Sequence, residues 1–87
     1  MSKITFSENA WKEYLYWQET DKKVLKKINR LLKEIQRTPF TGEGKPEPLK
    51  RSSDSWSRRL NGKDRLVYEV RDDNISIIQC KGHYNDK

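Results

Sequence analysis

The sequence predicts an α+β fold: a small βααβββ domain in which two helices pack on one face of an antiparallel sheet. One observation is an apolar stripe at helical spacing in the first half of the chain. The other is a series of three strand-like runs in the second half. With 87 residues, the chain is expected to form a single domain, 1–87. A domain of this size buries only about 60% of the surface that its unfolded chain exposes, so its core must be small.

The N-terminal segment is predicted to form a short strand, Ile4–Phe6, followed by a helix. Ser7 is a suitable N-cap, because its hydroxyl can accept a free N–H of the first helical turn. Apolar residues then follow at helical spacing over positions 10–17. Thr20 is predicted to cap a second helix, with Asp21 in its first turn, where a negative charge suits the helix dipole.

The second helix is the most clearly predicted element, because its apolar residues form a single stripe. They are Val24, Leu25, Ile28, Leu31, Leu32 and Ile35. The other side carries seven cations: Lys22, Lys23, Lys26, Lys27, Arg30, Lys33 and Arg37. Each cation alone is most simply a solvated side chain, but together they could contact a phosphate-rich surface. The helix is predicted to end at Thr38-Pro39, since proline disfavours helical geometry in the residue before it.

A loop is predicted from Phe40 to Pro48, since this stretch contains two glycines and two prolines. The segment from Gly42 to Lys45 resembles a phosphate loop only superficially. It lacks the spacing and the following Ser or Thr of a nucleotide P-loop, and a proline follows the lysine. Nucleotide binding is therefore excluded.

Three strands are predicted in the second half, at Trp56–Leu60, Arg65–Arg71 and Ile75–Lys81. Turn clusters at residues 61–62 and 72–74 separate them. In the middle strand one set of alternate residues is expected to pack on the helices, namely Leu66, Tyr68 and Val70. The other set is expected to lie on a free face, namely Arg65, Val67, Glu69 and Arg71.

The formal net charge of +6 favours an anionic partner, with nucleic acid or an acidic protein ahead of a membrane. No apolar run approaches the length of a membrane span, and the N-terminus lacks the apolar core of a signal peptide, so a cytoplasmic location is expected. One cysteine and one histidine cannot assemble a zinc site, so we expect no metal and no cofactor. Cys80 lies in an apolar segment and is most simply a buried thiol.

Two residues have the chemistry of a general acid and a general base. His83 stands four residues from the C-terminus, and histidine is the side chain that gains or loses a proton near neutral pH. The simpler interpretation is an exposed tail histidine. Glu47 lies between Pro46 and Pro48, which restrict the backbone and could hold its carboxylate in place as a base. A solvated loop glutamate is the alternative.

Two arginines on neighbouring predicted strands, Arg59 and Arg65, could bind an anion. They would face each other if the connection between the strands has an odd number of residues. Like charges directly opposed are unfavourable unless an anion lies between them, and phosphate matches the donors of a guanidinium. The alternative is that each arginine pairs with Glu69 or Asp64 at the surface.

Together with Lys50, these residues have the chemistry needed for metal-free RNA cleavage. A base would remove the proton of a 2′-hydroxyl, the oxygen would attack the adjacent phosphorus, and an acid would protonate the departing 5′-oxygen. Fixed cations would stabilise the charge that develops on the phosphoryl oxygens. DNA, which lacks the 2′-hydroxyl, would not be cut.

Six segments, which span nearly the whole chain in order, resemble the YoeB branch of the RelE-like toxins of type II toxin–antitoxin systems. They are Tyr14-Leu15-Tyr16-Trp17-Gln18-Glu19-Thr20-Asp21-Lys22, Arg37-Thr38-Pro39-Phe40, Gly44-Lys45-Pro46-Glu47-Pro48-Leu49-Lys50, Trp56-Ser57-Arg58-Arg59, Arg65-Leu66-Val67-Tyr68 and His83-Tyr84. The Lys-Pro-Glu-Pro-Leu block is the most specific of them. Two differences stand out: residues 51–55 are one residue fewer than usual and lack the family's glycine and aromatic residue, and residues 85–87 extend past the point where many relatives stop.

The resemblance implies a RelE-like fold and an endoribonuclease that cleaves mRNA in the ribosomal A site. It implies that Glu47 is the general base, that His83 is the general acid and that Arg65 holds the scissile phosphate. It further implies that Tyr84 orients or stacks on the RNA. Lys50 and Arg59 would support the charge, and the candidates for docking on the ribosome are Lys22, Lys26, Lys27, Arg30 and Lys33.

The resemblance also implies partners: a homodimer, and an acidic, partly disordered antitoxin of the YefM/Phd-like type that wraps the basic toxin. Two other functions stay open. The related ParE-type toxins share the general fold but poison DNA gyrase without cleaving RNA. A general basic RNA-binding module would bind free RNA with a steep salt dependence and would not cut it.

Overall fold

The computed structural model describes residues 2–83, in which two helices lie on one side of a five-stranded sheet. The elements are β1 (Lys3–Phe6), α1 (Glu8–Thr20), α2 (Lys22–Arg37), β2 (Glu47–Pro48), β3 (Ser55–Arg59), β4 (Arg65–Arg71) and β5 (Asn74–Gln79). The strand order across the sheet is β1-β5-β4-β3-β2. The predicted α+β class and the placement of both helices on one face are confirmed.

The sheet is mixed, whereas the sequence analysis predicted an antiparallel one. β1 pairs in parallel with β5, with Ile4 opposite Ile75, while the other pairings are antiparallel. Two helices and three further strands separate β1 from β5 along the chain, so no tight turn forces these two strands to be antiparallel. The prediction of a loop over residues 40–48 was also wrong at its end, because Glu47 and Pro48 form β2, which pairs with β3. Pro48 is tolerated there because β2 is an edge strand.

The cap of α1 is confirmed, but the predicted cap of α2 was wrong. The Ser7 hydroxyl accepts the N–H of Ala10 at 3.0 Å. Thr20 is the last residue of α1, and its hydroxyl donates back to the Tyr16 carbonyl at 2.7 Å. Asp21 is the N-cap of α2, because its extended backbone lets the carboxylate accept two free N–H groups of the first turn.

The core lies between the helices and the face of the sheet that carries Leu66 and Tyr68. Every residue of the predicted α2 stripe packs in it or against it, and Cys80 is fully buried, as predicted. The opposite face is not entirely free, because Ser57 and Val67 are also fully buried there. Neither helix in the described part of the chain has the length and apolar character that crossing a membrane would require.

Strands β3 and β5 are shifted from their predicted bounds. β3 ends at Arg59, and β5 ends at Gln79 instead of continuing to position 81. The chain leaves the sheet at Cys80 because α1 holds both backbone polar groups of that residue. Glu13 accepts its N–H at 2.8 Å, and the Trp17 indole donates to its carbonyl at 2.8 Å. This turn directs the segment towards Gly82 and His83.

Candidate functional site

The sheet surface opposite the helices brings together the predicted base and the predicted phosphate-binding residues. In the pairing of β2, β3 and β4, Glu47 lies opposite Ser57, and Arg59 lies opposite Arg65. The five-residue connection 60–64 has an odd length, so the expected juxtaposition of the two arginines is confirmed. Since paired residues point to the same face, these four side chains share one surface.

Arg65 is the central residue of this surface. Its Nη1 donates to Glu47 Oε1 at 2.9 Å and to Ser57 Oγ at 3.1 Å. The Arg65 side chain is 18% exposed and that of Glu47 is 56% exposed. Its Nε and Nη2 have no hydrogen-bond acceptor within residues 2–83. A partly buried cation is therefore oriented by Glu47 and Ser57 and still has donors available for an anion.

The alternative surface pairings for Arg65 were wrong. Glu69 instead forms an ion pair with Arg51 at 3.4 Å and accepts a hydrogen bond from the Ser55 hydroxyl at 3.2 Å. Asp64 is only 3% exposed, and its carboxylate accepts a hydrogen bond from the backbone N–H of Gly82. The sequence could not decide among these partners, because it does not show that β2 joins the sheet beside β3.

The loop that precedes Glu47 is held by a buried arginine that the sequence analysis missed. Arg58 is fully buried, and Nη1 of its guanidinium forms a short ion pair with Glu34. The same side chain donates to the Tyr68 hydroxyl at 3.0 Å. Its remaining acceptors are three loop carbonyls, those of Thr38, Thr41 and Glu43. Arg58 therefore organises the loop from within.

A sequence signal for Arg58 did exist. Trp56, Arg58 and Leu60 alternate along one strand, so Arg58 must point to the same side as two apolar residues. The loop is also tied to β3 through its backbone, since Arg59 donates its N–H to the Gly44 carbonyl at 2.7 Å. Gly44 has φ +86°, and a Cβ there would lie 3.0 Å from the Arg59 carbonyl oxygen, so glycine is required.

His83 is exposed, but the residue before it is fixed. Gly82 donates its N–H to Asp64 Oδ1 at 2.7 Å, and its carbonyl accepts the N–H of Arg65 at 3.1 Å. The His83 ring lies farther from its neighbour, with Nδ1 3.4 Å from the Lys63 carbonyl oxygen. The exposed ring agrees with the simpler interpretation of a tail histidine, while the anchored backbone at Gly82 limits where that ring can lie. Arg65 thus contacts Glu47 through its side chain and the residue next to His83 through its backbone.

The other predicted site residues are distributed more widely. Arg59 is exposed beside Arg65, and Lys50 is exposed two residues after Pro48. Tyr84 lies outside the described residues, as do residues 85–87. Within residues 2–83 no cluster of three or more His, Cys, Asp or Glu side chains is arranged to hold a metal ion.

One of the five candidate docking cations is already paired. Arg30 donates to both carboxylate oxygens of Glu43, at 2.9 and 2.7 Å. This hydrogen bonding raises the pKa of Arg30 and lowers the pKa of Glu43. Lys22, Lys26 and Lys33 are exposed on α2, and Lys27 is half-buried.

Comparisons with known proteins give a consistent result over nearly the full chain. Residues 6–84 match a family described as the YoeB-like toxin of bacterial type II toxin–antitoxin systems. Toxin YoeB of Escherichia coli strain K12 is 57% identical over 83 residues, which cover 94% of this chain and 99% of that protein.

Solved structures agree with the sequence match. A YoeB dimer from Staphylococcus aureus has a TM-score of 0.89 and 50% identity, covering 95% of this chain and 98% of that one. A heterotetrameric YoeB–YefM toxin–antitoxin complex from the same organism has a TM-score of 0.86 and 50% identity. That match covers 97% of this chain and 99% of that one.

Proposed function

The chain belongs to the family of YoeB-like toxins of bacterial type II toxin–antitoxin systems, and from this premise we propose that it is a ribosome-dependent endoribonuclease. It cleaves mRNA in the ribosomal A site and so inhibits translation. The observation that carries the proposal is the contact of Arg65 Nη1 with Glu47 Oε1 at 2.9 Å on the face opposite the helices. A cation with free donors beside a carboxylate suits a phosphate flanked by a 2′-hydroxyl.

In the proposed reaction Glu47 accepts the proton of the 2′-hydroxyl. The 2′-oxygen attacks phosphorus and the bond from phosphorus to the 5′-oxygen breaks. This leaves a 2′,3′-cyclic phosphate and a 5′-hydroxyl. His83, as the imidazolium, gives its proton to the departing 5′-oxygen. No metal is needed in this scheme, because fixed cations stabilise the charge on the phosphoryl oxygens.

Arg65 is the proposed phosphate-binding residue, because Nη1 is fixed by Glu47 and Ser57 while its other N–H groups remain available. Arg59 lies directly opposite on β3 and adds a second positive charge. An anion bound between the two arginines would relieve their mutual repulsion. Lys50 supplies a further cation from the segment after β2. Tyr84 is proposed to orient or stack on the RNA.

The proposed partners follow from the family and from the charge. Staphylococcus aureus YoeB has been solved as a dimer and in complex with YefM. We expect this chain likewise to form a homodimer and to be neutralised by an acidic antitoxin that complements its net charge of +6. Its action on ribosomes implies the cytoplasm, with docking aided by Lys22, Lys26, Lys27 and Lys33.

Primer extension on a defined mRNA in a reconstituted translation reaction tests the proposal. Wild type should cut within the A-site codon, and only when ribosomes are present. Glu47→Gln and His83→Gln should each lower the rate by about 10²–10⁴-fold. Glu19→Gln, which alters an exposed glutamate on α1, is the matched control and should cut normally.

The alternatives give different results in the same experiment. A folded wild type that leaves mRNA intact and inhibits gyrase supercoiling would support the ParE-like function. Binding to free RNA with a steep salt dependence and no cleavage would support the RNA-binding module. Wild-type rates in both the Glu47 and the His83 variants would show that the catalytic roles are wrong.

A further inference from the structure

The loop between β3 and β4 contains a buried carboxylate that the proposed reaction does not use. Asp64 is 3% exposed, and both of its carboxylate oxygens accept hydrogen bonds. Oδ1 accepts the Gly82 N–H at 2.7 Å, and Oδ2 accepts the Asn61 side-chain amide at 2.9 Å. Burying a charge is costly unless it is hydrogen-bonded, and these two bonds offset that cost.

The loop that carries Asp64 is itself a rigid support. Leu60 donates its N–H to the Asp64 carbonyl at 2.9 Å. The Asn61 side-chain oxygen accepts the N–H groups of Lys63 at 2.9 Å and of Asp64 at 2.7 Å. These bonds close the turn on itself and fix the carboxylate relative to β3 and β4.

Both backbone polar groups of Gly82 form hydrogen bonds with two consecutive residues, the last of this loop and the first of β4. Asp64 binds its N–H, and the Arg65 N–H binds its carbonyl. Because charge-assisted hydrogen bonds are shorter and stronger than neutral ones, the Asp64 bond is the stronger of the two. The backbone is thus fixed one residue before His83, whose own ring has, within residues 2–83, only the 3.4 Å contact with Lys63.

We propose that Asp64 is a positioning residue that places His83 for proton transfer by holding the Gly82 N–H. The inference rests on the proposed role of His83 as the general acid. The same arrangement makes Arg65 common to both halves of the site. Its side chain orients towards Glu47 while its backbone helps to hold the segment that carries His83.

A double-mutant cycle separates positioning from mere stability. Asp64→Ala removes both bonds, and Asp64→Asn keeps an acceptor for Gly82 but loses its charge. Asp73→Asn removes a charge from an exposed aspartate in the next turn and is the matched control. In the protein that retains His83, Asp64→Ala should reduce the rate of cleavage by about 10- to 100-fold. This is the loss that a misplacement of a catalytic group by about 1 Å can cause. Asp64→Asn should lose less, and Asp73→Asn should match wild type.

In the His83→Gln background the same Asp64→Ala change should cost nothing further, because a group that acts only through His83 has lost its target. An equal loss in both backgrounds would overturn the proposal and make Asp64 a structural residue. Unchanged cleavage by folded Asp64→Ala would overturn it as well.

Hydrogen exchange separates a failure of the positioning role from a failure of the proposed function. The Gly82 amide should exchange slowly in wild type and in Asp73→Asn, and faster in Asp64→Ala. If wild type does not cleave mRNA while Gly82 shows this pattern, the proposed function fails and the hold on Gly82 stands. If Gly82 exchanges at the same rate in Asp64→Ala as in wild type, the hold itself is refuted.

Discussion

The Arg65 guanidinium reaches across β3 to the Glu47 carboxylate and meets it at 2.9 Å, although the two residues are on strands that do not pair with each other. Ser57, on the strand between them, accepts from the same Nη1 atom at 3.1 Å. The contact links the proposed phosphate-binding group to the proposed base before any substrate is present. Preorganisation of this kind is what lowers a barrier without a reorganisation cost during the reaction.

Replacing Arg65 by lysine should lower the rate of cleavage although the charge is kept. A single ammonium cannot hold Glu47 and Ser57 and also present a fork of donors to phosphate. We expect a loss of about 10²–10³-fold, the range for one preorganised donor to a developing oxyanion. Arg71→Lys on the same strand, where the arginine forms an exposed pair with Asp54, should cleave normally. Similar rates for the two variants would contradict the role given to the Arg65 fork.

Removing the buried arginine should destabilise the fold strongly. Arg58→Met removes a donor from Glu34, the Tyr68 hydroxyl and three loop carbonyls. Breaking a fully buried ion pair costs about 3–5 kcal/mol, and because Glu34 is 33% exposed we expect a cost near the lower end of that range. Arg30→Met, which removes an exposed ion pair, should cost no more than about 1 kcal/mol. Urea unfolding of both variants measures the difference, and equal costs would show that Arg58 does not organise the loop.

Gly82→Ala should lower the rate of cleavage while lowering the free energy of unfolding only modestly. Gly82 has φ +88°, where alanine is strained by about 1–2 kcal/mol, yet an added Cβ would meet no atom of the described residues within 4 Å. The backbone is expected to relax and shift His83. Gly62→Ala, also without a neighbour for its Cβ and without a positive φ, is the control and should retain the full rate. A wild-type rate for Gly82→Ala would argue against a fixed position for His83.

The buried thiol should make the protein less stable at alkaline pH. Burial raises the pKa of Cys80 from 9.0 to about 12 in the folded state. Between these values the unfolded chain has released the proton and the folded chain still binds it, so stability falls as pH rises. Cys80→Ala should flatten the decline between about pH 9 and 12 in urea unfolding. An equally steep decline without the thiol would assign it to other groups, such as Tyr68, whose pKa is also raised by burial.

Local rules predicted much of this fold from the sequence. The Ser7 cap, the α2 stripe and the pairing of Arg59 with Arg65 each depend on spacing within a short segment or on the length of one turn. The cap of α2 was assigned one residue too early, because Thr20 and Asp21 are both good caps and only the backbone angles of Asp21 decide between them.

The features that escaped prediction depend on contacts between distant segments. β1 pairs in parallel with β5, the last strand of the described chain, and β2 exists only because β3 lies beside it. The alternative in which Asp64 pairs with an arginine at the surface was wrong, since its acceptor role depends on a glycine 18 residues later. The family resemblance supplied the site residues, but it did not show what holds them.

The proposed reaction requires attack by a 2′-oxygen, so the decisive substrate is an mRNA with one 2′-deoxynucleotide at the cleavage position. Ribosomes are loaded so that the modified codon occupies the A site, and wild-type protein is added. We expect the unmodified mRNA to be cut and to leave a 2′,3′-cyclic phosphate, and the modified mRNA to stay intact at that position. Cleavage at the 2′-deoxy position at the normal rate would contradict the proposed reaction, because that nucleotide has no 2′-hydroxyl proton for Glu47 to remove.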